Sequence, residues 1–226
     1  MQLGRSSSEL ILSEVEGLRV TKLNLTKIEE RLPRTFSFGA STAAGSKDDE
    51  GGFIVRIGKR LEQEGLGSAE NFGIGGHTTD DMVPRLPELP INHPSDIAFV
   101  TLGINDVPRS PDAKPDNRVP LDRHDSNVHT ILENLKARCT VLYVTQYPVN
   151  YLDRGLEKSL VESYVNVGRQ VAHEVGVDIL DIHPEIDDDK YNAFIHSDGM
   201  HFNSDGHAYI ADRIWDHLTQ SGHLFK

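Results

Sequence analysis

The sequence predicts an α/β fold organised on a five-stranded parallel sheet, and two observations carry that prediction. From residue 35 onward, short apolar runs alternate with longer amphipathic stretches. Strands buried on both faces read as continuous apolar runs, and their alternation with helical patterns implies right-handed crossovers with helices on both faces. The second observation is that several of the apolar runs end in glycine-rich or polar clusters. Ligands bind beyond the carboxyl ends of the strands in such sheets, so these clusters fall where chemistry belongs.

Taken in order, residues 35–39 are the first strand, 52–64 a helix and 69–74 a weaker strand. A helix over 81–88 and a strand over 96–103 follow, then a helix over 125–137 and a strand over 140–146. Helix 156–175, strand 177–182 and a final helix over 204–219 complete the pattern, with Ser204 or Asp205 placed to cap the last. Two segments fall outside it. Residues 9–25 alternate weakly around Gly17 and read as an added hairpin or extended arm, or as the last strands of a domain whose beginning is absent, in preference to a helix. Residues 107–123, rich in Pro, Asp and Arg directly after a strand, read either as a functional loop or as a surface insertion. The chain therefore divides into an N-terminal arm or β-hairpin, residues 1–34, and one domain, residues 35–226.

The 226 residues suffice to bury a full core, and 37% hydrophobic with 26% charged residues is ordinary for a globular chain. A formal net charge of −12 argues against non-specific binding to nucleic acid or anionic membranes. No apolar run approaches the ~20 residues that span a bilayer, and the first eight residues lack the apolar centre of a secretory signal, so the cytoplasm is the default compartment. Cys139 is the single cysteine and sits before an apolar run, which makes it a small buried hydrophobe rather than half of a disulfide or a metal ligand. The run Asp187-Asp188-Asp189 reads as a solvated loop.

Four clusters after strands hold candidate chemistry. Ser41, in Gly39-Ala40-Ser41-Thr42, would point its hydroxyl into the crevice and offer its own N–H to a developing oxyanion; alone it is as readily a helix cap. The glycines of Asn71-Phe72-Gly73-Ile74-Gly75-Gly76-His77-Thr78 permit close backbone approach, but no Gly-Lys-Ser/Thr or Gly-x-Gly-x-x-Gly accompanies them, which sets a phosphate cradle aside. Asn105, in Gly103-Ile104-Asn105-Asp106, can donate to an oxyanion without adding charge, or simply close an Asx turn. Asp198 and His201 are three residues apart, so the carboxylate can hold one ring nitrogen and leave the other free as a base. Together they are the parts of acyl transfer through a serine ester.

These four clusters resemble the sequence blocks of the SGNH hydrolases, the GDSL-type esterases and lipases, over residues ~35–220. The most specific match is Asp198-Gly199-Met200-His201-Phe202-Asn203-Ser204-Asp205-Gly206-His207, against the family's Asp-Gly-x-His-x-Asn-x-x-Gly-His. The resemblance implies a flavodoxin-like three-layer α/β/α sandwich. It makes Ser41 the nucleophile, His201 the base and Asp198 its orienting acid, with Ser41, Gly76 and Asn105 as the oxyanion hole. One departure stands out: Ala40 replaces the Asp of the family's Gly-Asp-Ser. A Gly-x-Ser-x-Gly elbow of the α/β-hydrolase kind fits less well, because only one core strand precedes Ser41 and Asp and His share one turn. A metal site at Asp198, His201, His183 and His196 would leave Ser41 and Asn105 unexplained. The expected activity is hydrolysis of short-chain, acetyl-type esters, carbohydrate esters among them, with no cofactor or metal, a small-molecule or carbohydrate ester as partner, and no nucleic acid or membrane. The alternatives are acyl transfer by the same triad and a non-catalytic binding module on the same fold. Nothing in the sequence sets an oligomeric state.

Overall fold

A computed structural model describes residues 31–109 and 118–224. The possible hairpin at 9–25 and the middle of the proline-rich connection (110–117) lie outside them. Five strands form one parallel sheet: β1 (Arg34–Gly39), β2 (Ser68–Asn71), β3 (Ile97–Thr101), β4 (Thr140–Val144) and β5 (Asp178–Leu180). Their spatial order is β2-β1-β3-β4-β5, every pair parallel. The order reverses between β1 and β3, and the carboxyl ends of these two strands flank the crevice where doubly wound sheets take their ligands.

Two buried clusters cover the two faces. Ile97 and Phe99 of β3 join Phe53, Ile57, Ile210 and Ile214, from helices α2 (Phe53–Glu64) and α7 (Ser204–Gln220). Ala98 and Val100 join Val128, Leu132 and Val171, from helices α4 (Leu121–Lys136) and α5 (Lys158–Val175). Alternate residues of one strand thus feed two cores, which is why β3 and β4 carry almost no polar residue. The result is the three-layer sandwich expected from the sequence. Three short helices complete the set described here: α1 (Ser41–Ala44), α3 (Thr79–Met82) and α6 (Asp188–Phe194).

Several elements differ from their sequence reading for identifiable reasons. The helix expected over 81–88 is one α turn followed by a 3₁₀ segment, Val83–Glu88, because Pro84 and Pro87 supply no N–H. Helix α4 begins four residues before the expected 125, straight after Pro120. Its first turn looks polar because His124 is buried on an acidic partner rather than on the apolar core. The cap of α7 is neither Ser204 nor Asp205 but Asn203, whose side chain accepts from Gly206 N at 3.0 Å. Asp187 of the acidic run caps α6 by accepting from Lys190 N. Cys139 is buried, and burial pushes its thiol up to about 12. No helix among the described residues is long and apolar enough to cross a membrane.

One ion pair ties the loop after α1 to α7. Asp48 accepts from Arg56 and from Gly52 N at 2.8 Å, while Arg56 also donates to Ser204 Oγ at 2.8 Å. Burial by itself raises the Asp48 pKa, but the bonds from Arg56, Gly52 and Glu50 outweigh it and hold the carboxyl down to about 2. The folded value lies below the unfolded one, so the stabilisation is complete above about pH 4 and is lost as pH falls towards 2. Urea unfolding of wild type and Asp48→Asn at a series of pH values should show their stability difference shrinking by about 2 kcal/mol between pH 5 and pH 2. A difference independent of pH would remove Asp48 from the acid response.

Candidate active site

Asp198 and His201 meet as their spacing suggests. His201 Nδ1 lies 2.7 Å from Asp198 Oδ2, while Asp198 Oδ1 accepts from the N–H groups of Met200 and His201 at 2.9 and 3.0 Å. The carboxylate therefore closes its own turn and orients the imidazole in one arrangement. Gly199 holds that turn at φ +67, and a Cβ there would stand 2.8 Å from Asn150 Cβ. Burial raises the Asp198 pKa, but the bonds from the His201 ring and from the two backbone N–H groups prevail and keep it well below the carboxylate range. Arg154 lies beside the turn, donating to the Asp198 carbonyl with its guanidinium 3.6 Å from Oδ1. With Nδ1–H given to Asp198, the Nε2 lone pair of His201 is free to take a proton.

Ser41 opens α1 directly after β1, so its N–H is one of the first-turn groups that a helix leaves without an intrahelical acceptor. Among the described residues no hydrogen bond joins Ser41 to His201. Their neighbours, however, share one atom. Tyr147, 1% exposed in the loop after β4, donates its phenol to Met200 O at 3.1 Å, and its oxygen lies 3.2 Å from Thr42 Oγ1. A phenol has one proton, so the Thr42 hydroxyl is the donor in the second bond. The ring stacks on Phe202 with centroids 3.7 Å apart. The residue after Ser41 and the residues on both sides of His201 are thus fixed by a single side chain.

Gly76 and Asn105 also converge. Asn105 Nδ2 donates to His77 O at 2.9 Å, which uses one of its two N–H groups and leaves the other. Gly76 sits at φ +83 in the turn closed by His77 N on Ile74 O. Of the nearby glycines, Gly73 spends its N–H on Asn71 Oδ1 at 2.9 Å and is packed against Ala43 and Ala44, which sets it aside as a donor. Beneath them the buried Asp106 accepts from Thr79 N (2.9 Å), Thr79 Oγ1 (2.6 Å) and His124 Nδ1 (2.6 Å). This carboxylate binds the Asn105 loop to the Gly76 loop.

The remaining histidines are structural or peripheral. His207 stacks on Phe53, and burial lowers its pKa to about 4, so it is neutral. His196 Nδ1 accepts from Asp198 N at 3.2 Å. His183 reaches Gln146 O at 2.7 Å and lines a cleft of about 540 Å³ with Asn150, Tyr151, Glu162, Asp188 and Tyr191. That cleft adjoins the Asp198 turn, since Asn150 N and Tyr191 OH both bond Gly199 O, but its lining includes none of Ser41, Gly76, Asn105 or His201.

A serine at a helix start, a carboxylate-oriented imidazole and paired amide donors at the β1/β3 crevice are parts of an ester hydrolase. The model of the GDSL-like lipase/acylhydrolase family matches residues 37–209. The chain belongs to that family. It is a carboxylic ester hydrolase. A curated relative, the human isoamyl acetate-hydrolyzing esterase 1 homolog, is 25% identical over 81% of this chain and 80% of its own. Two solved structures share the fold. A lipase/acylhydrolase from Enterococcus faecalis has a TM-score of 0.69 at 20% identity, over 84% of this chain and 97% of that one. An acetylxylan esterase from Geobacillus stearothermophilus has 0.68 at 18%, over 86% and 94%.

Tyr147, Arg154 and Asp106 were not singled out from the sequence of this hydrolase. Tyr147 reads as one more apolar residue after a strand, and only its phenol contacts reveal its position. Tyr147→Phe keeps the stack on Phe202 and removes both bonds. It should cost about 1–2 kcal/mol of stability and lower kcat several-fold with little change in KM, read by urea unfolding and steady-state kinetics. An unchanged kcat would show that the bridge does not set the relation between the Ser41 and His201 turns.

Proposed function

We propose that the protein is a serine esterase acting on short-chain, chiefly acetyl, esters through Ser41, His201 and Asp198. The observation that carries this reading is the 2.7 Å bond from His201 to Asp198, which leaves Nε2 as a base on a turn coupled through Tyr147 to that of Ser41. As Ser41 Oγ attacks the acyl carbon, its proton passes to His201 Nε2, and Asp198 stabilises the imidazolium. The oxyanion is held by the N–H groups of Ser41 and Gly76 and by the second N–H of Asn105. Each such donor contributes ~3–4 kcal/mol to the transition state. The alcohol departs with the proton from His201, and water, deprotonated by the same nitrogen, hydrolyses the Ser41 acyl ester.

The acyl group is inferred from what dissimilar relatives have in common. One is named as the homolog of an isoamyl acetate-hydrolyzing esterase and another is an acetylxylan esterase, so the alcohols in the names differ and the acetyl group is shared. For the alcohol side, the cleft beside the Asp198 turn offers the aromatic rings of Tyr151 and Tyr191 with the carboxylates of Glu162 and Asp188. Flat apolar faces beside hydrogen-bond acceptors suit a sugar better than a branched alkyl chain.

Ser41→Ala and His201→Ala should each lower kcat by ~10³-fold or more, and the double variant should be little worse than either, since the groups act as a unit. A fluorophosphonate probe should label Ser41 in the wild type alone. Full turnover by Ser41→Ala would sink the scheme. In a series of p-nitrophenyl esters, kcat/KM should fall once the acyl chain exceeds about four carbons. Acetylated xylo-oligosaccharides should be better substrates than isoamyl acetate. Rates that rise steadily towards long acyl chains would overturn the acyl assignment.

A further inference from the structure

We propose that Asp178, His217 and His223 form a binding site for one divalent transition-metal ion of the zinc class, at the end of the molecule away from the esterase centre. Asp178 is the first residue of β5, His217 lies in the last turn of α7, and His223 follows that helix. Gly222, at φ +71, turns the chain so that His223 N donates back to Leu218 O and its ring returns to the sheet edge. Both imidazoles then present Nε2 to one carboxylate oxygen: His217 at 3.2 Å and His223 at 2.7 Å from Asp178 Oδ2. One donor atom from each residue falls within 4.8 Å of the others.

The donor set selects the class of ion. Two imidazole nitrogens with one carboxylate suit Zn2+ and its neighbours in the transition series, whereas Ca2+ and Mg2+ take oxygen ligands. A tetrahedral ion with bonds of about 2.0–2.1 Å holds its ligand atoms about 3.3 Å apart, so the His223–Asp178 separation must open by roughly half an ångström. His223 Nδ1 is buried without a partner, which leaves Nε2 as the nitrogen that can serve. Asp178 and His217 remain partly exposed, giving an ion a path in and water a place in its coordination shell.

The local field also favours a cation. Helix α5 ends at Val175, three residues before Asp178, and α7 ends at Gln220, between the two histidines. Helix C-termini carry partial negative charge, so the end of α7 adds to the carboxylate, whereas that of α5 is met by Lys136 Nζ on Val175 O. Asp178 stands at the amino end of its strand, whereas Ser41, Gly76 and Asn105 follow the carboxyl ends of theirs. The ion is therefore a fastener and not a catalyst: it pins the end of α7, the helix that begins three residues after His201, to the edge of the sheet.

The test uses tag-free full-length protein stripped with a chelator. Calorimetric titration with Zn2+ should show one site of micromolar affinity or tighter, and Tm should rise on binding and fall back with EDTA. Asp178→Asn and His223→Gln, folded by circular dichroism, should each weaken binding by about tenfold or more. Cobalt(II) should give the visible bands of a low-coordinate nitrogen-oxygen site in the wild type and lose them in His223→Gln. Binding should persist in His201→Ala, which removes the other cluster of His and Asp. No saturable binding, or binding that survives His223→Gln but not His201→Ala, would overturn the proposal.

Discussion

Gly39 is the point on which the arrangement of the crevice depends. It ends β1 at φ +141, and a Cβ there would stand 1.9 Å from Thr101 O. The close approach is what lets Ala40 N donate to Thr101 O at the end of β3, while Gly39 O accepts from Ile74 N in the loop after β2. Three chain segments from different strands are thus joined around one residue without a side chain. Each of them leads at once to a candidate group: Ser41 from β1, Gly76 from the β2 loop and Asn105 from β3. The position of all three follows from how tightly the sheet closes at that corner.

Closing the corner brings polar groups out of water, and the protein answers with a buried network. Asp106 and His124 are 0% and 1% exposed, a costly placement for an ionisable pair unless the lone pairs are met. Those of the carboxylate are met: Thr79 supplies two donors and His124 Nδ1 a third, and Asn127 donates to Thr79 Oγ1 and to Asp80, while His124 Nε2 stays buried without a partner. The network rigidifies the two loops that carry the proposed oxyanion donors, and preorganised donors act without reorganising as charge develops. The same logic holds on the other side of the crevice. There Asp198 spends one oxygen on its own turn and the other on His201, so that the imidazole is held in one orientation.

How much of this the sequence reveals depends on the range of the interaction. The strands β1, β3 and β4 are legible because burial on both faces leaves nearly unbroken apolar runs. The Asp198–His201 bond is legible because its partners lie within one turn, and the positions of Ser41, Gly76 and Asn105 are legible because each follows a strand. What is hidden is set by contacts across the fold. Tyr147 looks apolar until Thr42 and Met200, 105 and 53 residues away, meet its oxygen. His124 disguises the start of α4 because its partner is Asp106, 18 residues earlier. Asn203 displaces Ser204 as the cap of α7 because the chain enters that helix from the bridge between Ile195 and Phe202, and its side chain also donates to Ala193 O. No local pattern encodes any of these.

Ala40, where the resemblance leads one to expect Asp, shows how such long-range contacts redistribute a structural task. The residue is 4% exposed and gives the start of α1 no side-chain cap, so position 40 supports the turn that carries Ser41 through its backbone alone. Further support comes from the position after it. Thr42 donates to Tyr147, and the left-handed Gly45 and the following Ser46 return backbone N–H groups to Thr42 O and Ser41 O. Tyr147 stands between two loops and bonds both, Thr42 beside Ser41 and Met200 beside His201. The relation that the proposed chemistry needs most, serine oxygen against imidazole nitrogen, thus has one buried phenol between its two turns, three residues beyond the end of β4.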